Sequence, residues 1–215
     1  MKITPIADSI HLVRFRSQED LGKTFLRFQE HFESPHFRGR YFTIAQFRQW
    51  YTSHSPEGKK TGRFTFYQDW GGFNIPSYVL KPFYKGRFNP LTNSEEKLLQ
   101  QFQKHKQPYY IIGTYGNHTK DILRHEIAHA LFYTNKRYRK EALKVIHSLP
   151  RESIVQIYRF FARSKGYHHD VWLDEAHAYI MTLKDLLKEE GIDVSPLKEA
   201  HKRLNQLFKK HYRET

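Results

Sequence analysis

The sequence predicts an α+β fold, with a small mixed sheet built largely in the first half and packed on a mostly helical second half. Three observations point there. Residues 9–15 (SIHLVRF) and 108–115 (PYYIIGTY) are short β-branched and aromatic runs of strand length. Residues 71–92 mix aromatics with Gly and Pro and fit no regular period. From about residue 120 onward the apolar positions recur at helical spacing. There is no internal repeat or low-complexity linker, so a single domain over 1–215 is expected. Within it, 1–107 form an elaborated N-terminal part and 108–215 a strand followed by helices.

The elements are read in order. After the 9–15 strand, Leu21, Phe25, Phe28 and Phe32 mark a helix over 18–33. Thr43 followed by Gln46 is a capping-box pair that opens a short helix through Tyr51. Residues 54–62 read as a loop and 63–68 (RFTFYQ) as a strand. Residues 71–92 form an irregular segment packed on the core or walling a cleft, and Asn93 or Ser94 opens a helix to about His105. After the 108–115 strand, Thr119 is placed to cap a helix over 120–135, with Asp121 favourable in its first turn. Further helices are expected over 137–148, 151–165, 169–190 and 196–212.

Composition narrows the class. With no cysteine, a disulfide framework is excluded, and a metal site must use histidine and carboxylate. No run of about 18 apolar residues exists, so no membrane span is expected. The N-terminus lacks the apolar core of a signal peptide, so the expected location is the cytoplasm. The net charge of +14 favours acidic partners, nucleic acid among them, although the basic residues are spread along the chain rather than gathered in a block.

The segment that carries chemistry is HEIAH, residues 125–129. His125 and His129 stand one helical turn apart on one face, a spacing that brings both imidazoles to one tetrahedral ion at roughly 2.0–2.1 Å. Glu126 lies about 100° round the helix, where it can take a proton from metal-activated water without being a ligand. Ile127, Ala128, Ala130, Leu131 and Phe132 make the helix half buried. Buried histidines beside a glutamate need something to satisfy them, and a metal, with zinc the expected ion, answers that need.

A catalytic site needs a third protein ligand, and the downstream candidates are Glu175, His147, His168, His169 and His177. Glu175 is favoured. It sits between Asp174 and Ala176 on an apolar helix, and the small residues Ala176 and Ala178 let that helix approach the motif helix closely. For an oxyanion donor, Tyr179, Tyr167, His168 and His177 are the suitable residues. Tyr179, one turn after Glu175, is preferred.

At HEIAH the chain resembles the zincin metallopeptidases, over about residues 108–190. HEIAH followed by DEAHAY is similar to gluzincins, whose third ligand is a glutamate from a later helix. The resemblance implies Glu175 in that role. It also implies a peptide-binding edge in the strand before the motif helix, here 109–115. Gluzincins often carry an acid four residues after that glutamate to support the first histidine. Tyr179 stands there, leaving Asp174 or Asp121 for the task. A looser similarity, to SprT-type DNA-associated proteases with three histidines, points to His147, but the glycine-containing segment of that family is missing.

The expected function is a zinc metallopeptidase acting on a peptide or protein substrate. The alternatives are a basic nucleic-acid-binding protein with a structural or vestigial zinc, a SprT-like protease, and a catalytically silent zincin fold that binds a protein partner.

Overall fold

The computed structural model describes residues 1–106, 108–116, 120–164 and 166–212, with Lys120 and Asp121 described by backbone alone. The cap expected at Thr119 and the side chain of Asp121 lie outside these residues.

The chain opens with a hairpin, β1 (Lys2–Ala7) and β2 (Ile10–Phe15), turned at Ser9 with φ 62°. Helix α1 (Gln18–Glu33) follows, its first turn held by the Ser17 side chain accepting from the Asp20 N–H. Then come α2 (Ile44–His54), α3 (Pro56–Thr61) and α4 (Phe66–Asp69). Strand β3 (Gly72–Pro76) leads through a 3₁₀ turn, Ser77–Leu80, into α5 (Lys81–Tyr84) and α6 (Asn93–Phe102). Strand β4 (Tyr110–Tyr115) closes the mixed half. The remainder is α7 (Lys120–Thr134), α8 (Lys136–His147), α9 (Arg151–Ser164), α10 (Trp172–Thr182), α11 (Lys184–Glu189) and α12 (Lys198–His211).

The sheet runs β1-β2-β4-β3, with β2 and β4 parallel and the outer pairs antiparallel. Period-two alternation divides its side chains between two cores. Ile10, Leu12, Tyr110 and Ile112 pack with α7, α8, α10 and α12. Val13, Phe15, Phe73, Ile75 and Ile111 pack with α1 and the aromatic N-terminal segments. Gly113 has no side chain because α1 lies against it: a Cβ there would stand 2.5 Å from the Phe25 ring. Helix α7 is thus covered by the sheet on one side and by α8 and α10 on the other. Nothing in this assembly crosses a membrane as a helix: among the described residues none is long and apolar enough.

The α+β layout agrees with the sequence, and the structure corrects several elements. Residues 63–68 form a turn and α4 instead of a strand, and 54–62 hold the short α3, closed by Gly62 at φ 65°. Strand β1 was not expected; its Pro5 is tolerated because β1 is an edge. The irregular 71–92 segment contributes β3, and the 169–190 helix is broken at Leu183. The strand before the motif helix, β4, is an interior strand with both sides paired, so it offers no edge to an extended peptide.

Candidate metal centre

Helices α7 and α10 pack side by side and bring the two halves of the site together. His125 Nε2 and His129 Nε2 stand 3.2 Å apart, and Glu175 Oε2 lies 3.8 Å from His129 Nε2. Two ligands at about 2.0–2.1 Å from a tetrahedral ion are separated by about 3.3 Å, so the two imidazoles already have the spacing of metal ligands. The ligand atoms of His125, His129 and Glu175 all lie within 4.8 Å of one another. Glu175 Oε2 is buried and accepts no hydrogen bond. A buried oxygen in that position needs either a cation or a proton of its own. The donor set of two imidazoles and one carboxylate therefore suits zinc, with room for a fourth ligand.

The other ring nitrogens each face an oxygen, and for His125 a hydrogen bond fixes the tautomer. The Thr182 hydroxyl donates to the Ala178 carbonyl, so its oxygen accepts from His125 Nδ1–H at 2.8 Å. Asp174 Oδ1 stands 3.0 Å from His129 Nδ1, an ion-pair contact without hydrogen-bond geometry. Asp174 is thus the acid beside the second histidine, where Tyr179 offers none to the first.

The same carboxylates set the protonation of the metal-free site. Burial pulls the His129 imidazole down, but Asp174, Glu175 and Glu126 outweigh it and hold it at about 10. Burial and then the neighbouring His129 keep His125 well below its ordinary value. Burial pushes Glu175 well up; Asp174 is lowered to about 2 because His129 and His177 overcome its burial.

Glu126 is oriented from the sheet. Asn74 Nδ2 donates to Glu126 Oε2 at 2.5 Å, and Tyr110 donates its hydroxyl proton to Asn74 Oδ1, which fixes the amide. Strand alternation turns Asn74 towards α7 while its neighbours Phe73 and Ile75 face α1. Glu126 Oε1 faces Gly72, where a Cβ would sit 3.4 Å away, so the absent side chain leaves that oxygen open to the cavity. Burial raises the Glu126 carboxyl.

The cavity beside these groups, about 110 Å³, is also walled by Gln29, Glu30 and Glu33 from α1 and by Tyr167. Burial raises Glu33 to about 7 and Glu30 to about 8. Sequence reasoning missed Asn74, Tyr110, Glu30 and Glu33. The available signal was two acids interleaved with Phe28 and Phe32 on an aromatic helix, which buries part of any acid beside them.

The remaining candidates fall elsewhere. Tyr179 is 8% exposed and does not wall this cavity. Its hydroxyl lies 3.2 Å from that of Tyr167, which does. His177 is a satisfied core histidine, 2.7 Å from the Tyr138 hydroxyl and stacked on Phe132. His147 is exposed at the end of α8 and joins neither potential metal-binding group. His168 and His169 cluster with Asp170 near the surface, where Arg38 also pairs with Asp170.

In comparisons with family models, curated proteins and solved structures, none matches this chain.

Proposed function

We propose that this chain is a zinc-dependent hydrolase, a metallopeptidase of zincin type, with His125, His129 and Glu175 as metal ligands and Glu126 as general base. The observation that carries the reading is the convergence of two Nε2 atoms 3.2 Å apart on a buried carboxylate oxygen that has no hydrogen-bond donor. Zinc held there would polarise a scissile carbonyl and acidify the attacking water. Glu126 takes the water's proton at Oε1 while Asn74 holds Oε2, and its raised affinity for protons suits the later transfer to the leaving amine. We assign the oxyanion donor to Tyr167, which walls the cavity and whose hydroxyl lies 3.2 Å from that of Tyr179.

The charge of the cavity favours a peptide over a nucleic acid as substrate. Among the described residues, no Lys or Arg walls it, whereas Glu30, Glu33, Glu126 and Glu175 do. Such a surface offers a phosphate backbone no cationic side chain to pair with. The test is hydrolysis of unfolded protein by the zinc-loaded chain. Glu126→Gln is expected to keep one zinc per chain and lose roughly 10²–10⁴-fold in rate. An active Glu126→Gln protein would remove this mechanism.

A second reading concerns recruitment. Lys136, Lys140 and Lys144 on α8 and Lys202 and Lys209 on α12 are exposed, and these two helices pack together away from the cavity. Exposed lysines on these two helices suit an acidic partner such as nucleic acid. Affinity for DNA that falls steeply with salt would support it, and no binding at low ionic strength would refute it.

A further inference from the structure

A larger cavity, about 480 Å³, opens beside the one at the metal centre. Glu30, Ser34, Phe66, Trp70, Gly166 and Tyr167 wall both, so the two cavities adjoin across these residues. Beyond that border the walls are Phe47, Trp50 and Tyr51 from α2, Phe161 from α9, and Trp172. The spacing of Phe47, Trp50 and Tyr51 places them on one face of α2. The walls are braced. Trp50 stacks between His36 and His54, and Trp172 Nε1 donates to the Tyr167 carbonyl at 3.1 Å. Trp70 stands at the border with 47% of its surface exposed, a large apolar side chain left open to solvent. A volume of this size lies within the range of small-ligand sites and exceeds what one water or ion needs.

We propose that this aromatic cavity is the recognition pocket of the hydrolytic site, receiving a bulky apolar side chain, aromatic or large aliphatic, next to the bond presented to Glu126. The inference rests on the hydrolase reading. Its occupant follows from adjacency and from the walls: a backbone held at His125, His129 and Glu126 would have its neighbouring side chain beside Trp70 and Tyr167, which border both cavities, with the aromatic walls next to it. Burying such a side chain in place of alanine is expected to favour binding by about tenfold to a hundredfold.

The test has two arms. In the first, the zinc-loaded chain digests a mixed peptide library and the cut sites are read by mass spectrometry. Phe, Tyr, Trp, Leu and Met are expected to be enriched at one position flanking the cut. Ala162 walls the larger cavity only and is exposed on α9. Ala162→Trp is expected to shift the preference to small side chains with zinc content unchanged. Cutting without side-chain preference, or a preference that Ala162→Trp leaves intact, overturns the pocket while leaving the hydrolase reading in place. In the second arm, phenylalanine hydroxamate and glycine hydroxamate are titrated calorimetrically into zinc-loaded Glu126→Gln protein. The phenylalanine compound is expected to bind about tenfold to a hundredfold tighter, an advantage that Ala162→Trp abolishes. Equal affinity, or no binding of either, overturns the pocket. That selectivity in a wild-type chain that hydrolyses nothing would sink the hydrolase reading and keep the pocket.

Discussion

The metal binding proposed at His125, His129 and Glu175 would displace a proton, which gives the site a measurable pH dependence. In the metal-free protein, Asp174, Glu175 and Glu126 hold the His129 imidazole at about 10 against the effect of burial. At pH 7 the proton is therefore favoured by about three pH units, or about 4 kcal/mol that the metal must overcome. The sign follows directly. Below about 10 the metal-free site carries the proton and the metal-bound site does not, so apparent affinity rises with pH. With His125 already neutral, the His129 proton leaves, and so does the proton that burial favours on Glu175, so apparent zinc affinity should rise at least about tenfold per unit between pH 6 and 8. Competition against a chromophoric chelator at pH 6, 7 and 8 measures this, and proton release in weak buffer counts the protons. Asp174→Asn removes the carboxylate 3.0 Å from His129 Nδ1. It is expected to weaken zinc binding by about 10–100-fold. It should also flatten the pH dependence towards pH 8, because the imidazole then loses its proton more readily. An affinity unchanged from pH 6 to 8, or an Asp174→Asn protein identical to wild type in both respects, would refute the argument.

Three further outcomes are expected. Asn74→Ala frees Glu126 to rotate and should lower kcat on the order of 10²-fold at full zinc occupancy, as a catalytic group misplaced by about 1 Å does; steady-state kinetics with metal analysis checks it. Arg27 and Glu95 form a bidentate ion pair between α1 and α6, at 3% and 1% exposure. Arg27→Met should cost about 3–5 kcal/mol in urea unfolding, whereas removing both charges should restore much of it. Gly113→Ala places a Cβ 2.5 Å from the Phe25 ring and should cost about 1–3 kcal/mol by the same measurement, with Phe25→Leu in the same chain relieving it.

Local signals were legible where they repeat or stand close in sequence. Thr43 with Gln46 forms the capping box that the spacing implies, and α1, α8, α9 and α12 follow their apolar periods closely. The alternation of Phe64 and Phe66 imitated a strand, yet both rings belong to an aromatic cluster. Phe66 packs on Phe47, Phe64 on Tyr51, and Tyr51 donates to Asp69. Tertiary packing of aromatics overrode a period-two pattern six residues long. The interior position of β4 was not legible either, because its partners, β2 and β3, lie far away in sequence and nothing local announces them.

The same distinction separates the readable half of the site from the unreadable half. His125, Glu126 and His129 lie within about one helical turn, so spacing brings them forward, whereas Glu175 is singled out by the small residues beside it and by the resemblance at DEAHAY. Asn74 acts on Glu126 across 52 positions, and it does so only because β3 joins the sheet antiparallel to β4 in a register that faces Asn74 opposite Ile112. A shift of one residue would turn Asn74 into the α1 core and set Phe73 or Ile75 against Glu126. In the proposed hydrolysis the N-terminal half would therefore be part of the chemistry as well as its wall. It supplies the amide that holds Glu126, the glycine beside the Glu126 oxygen, and acids and aromatics that line the cavity.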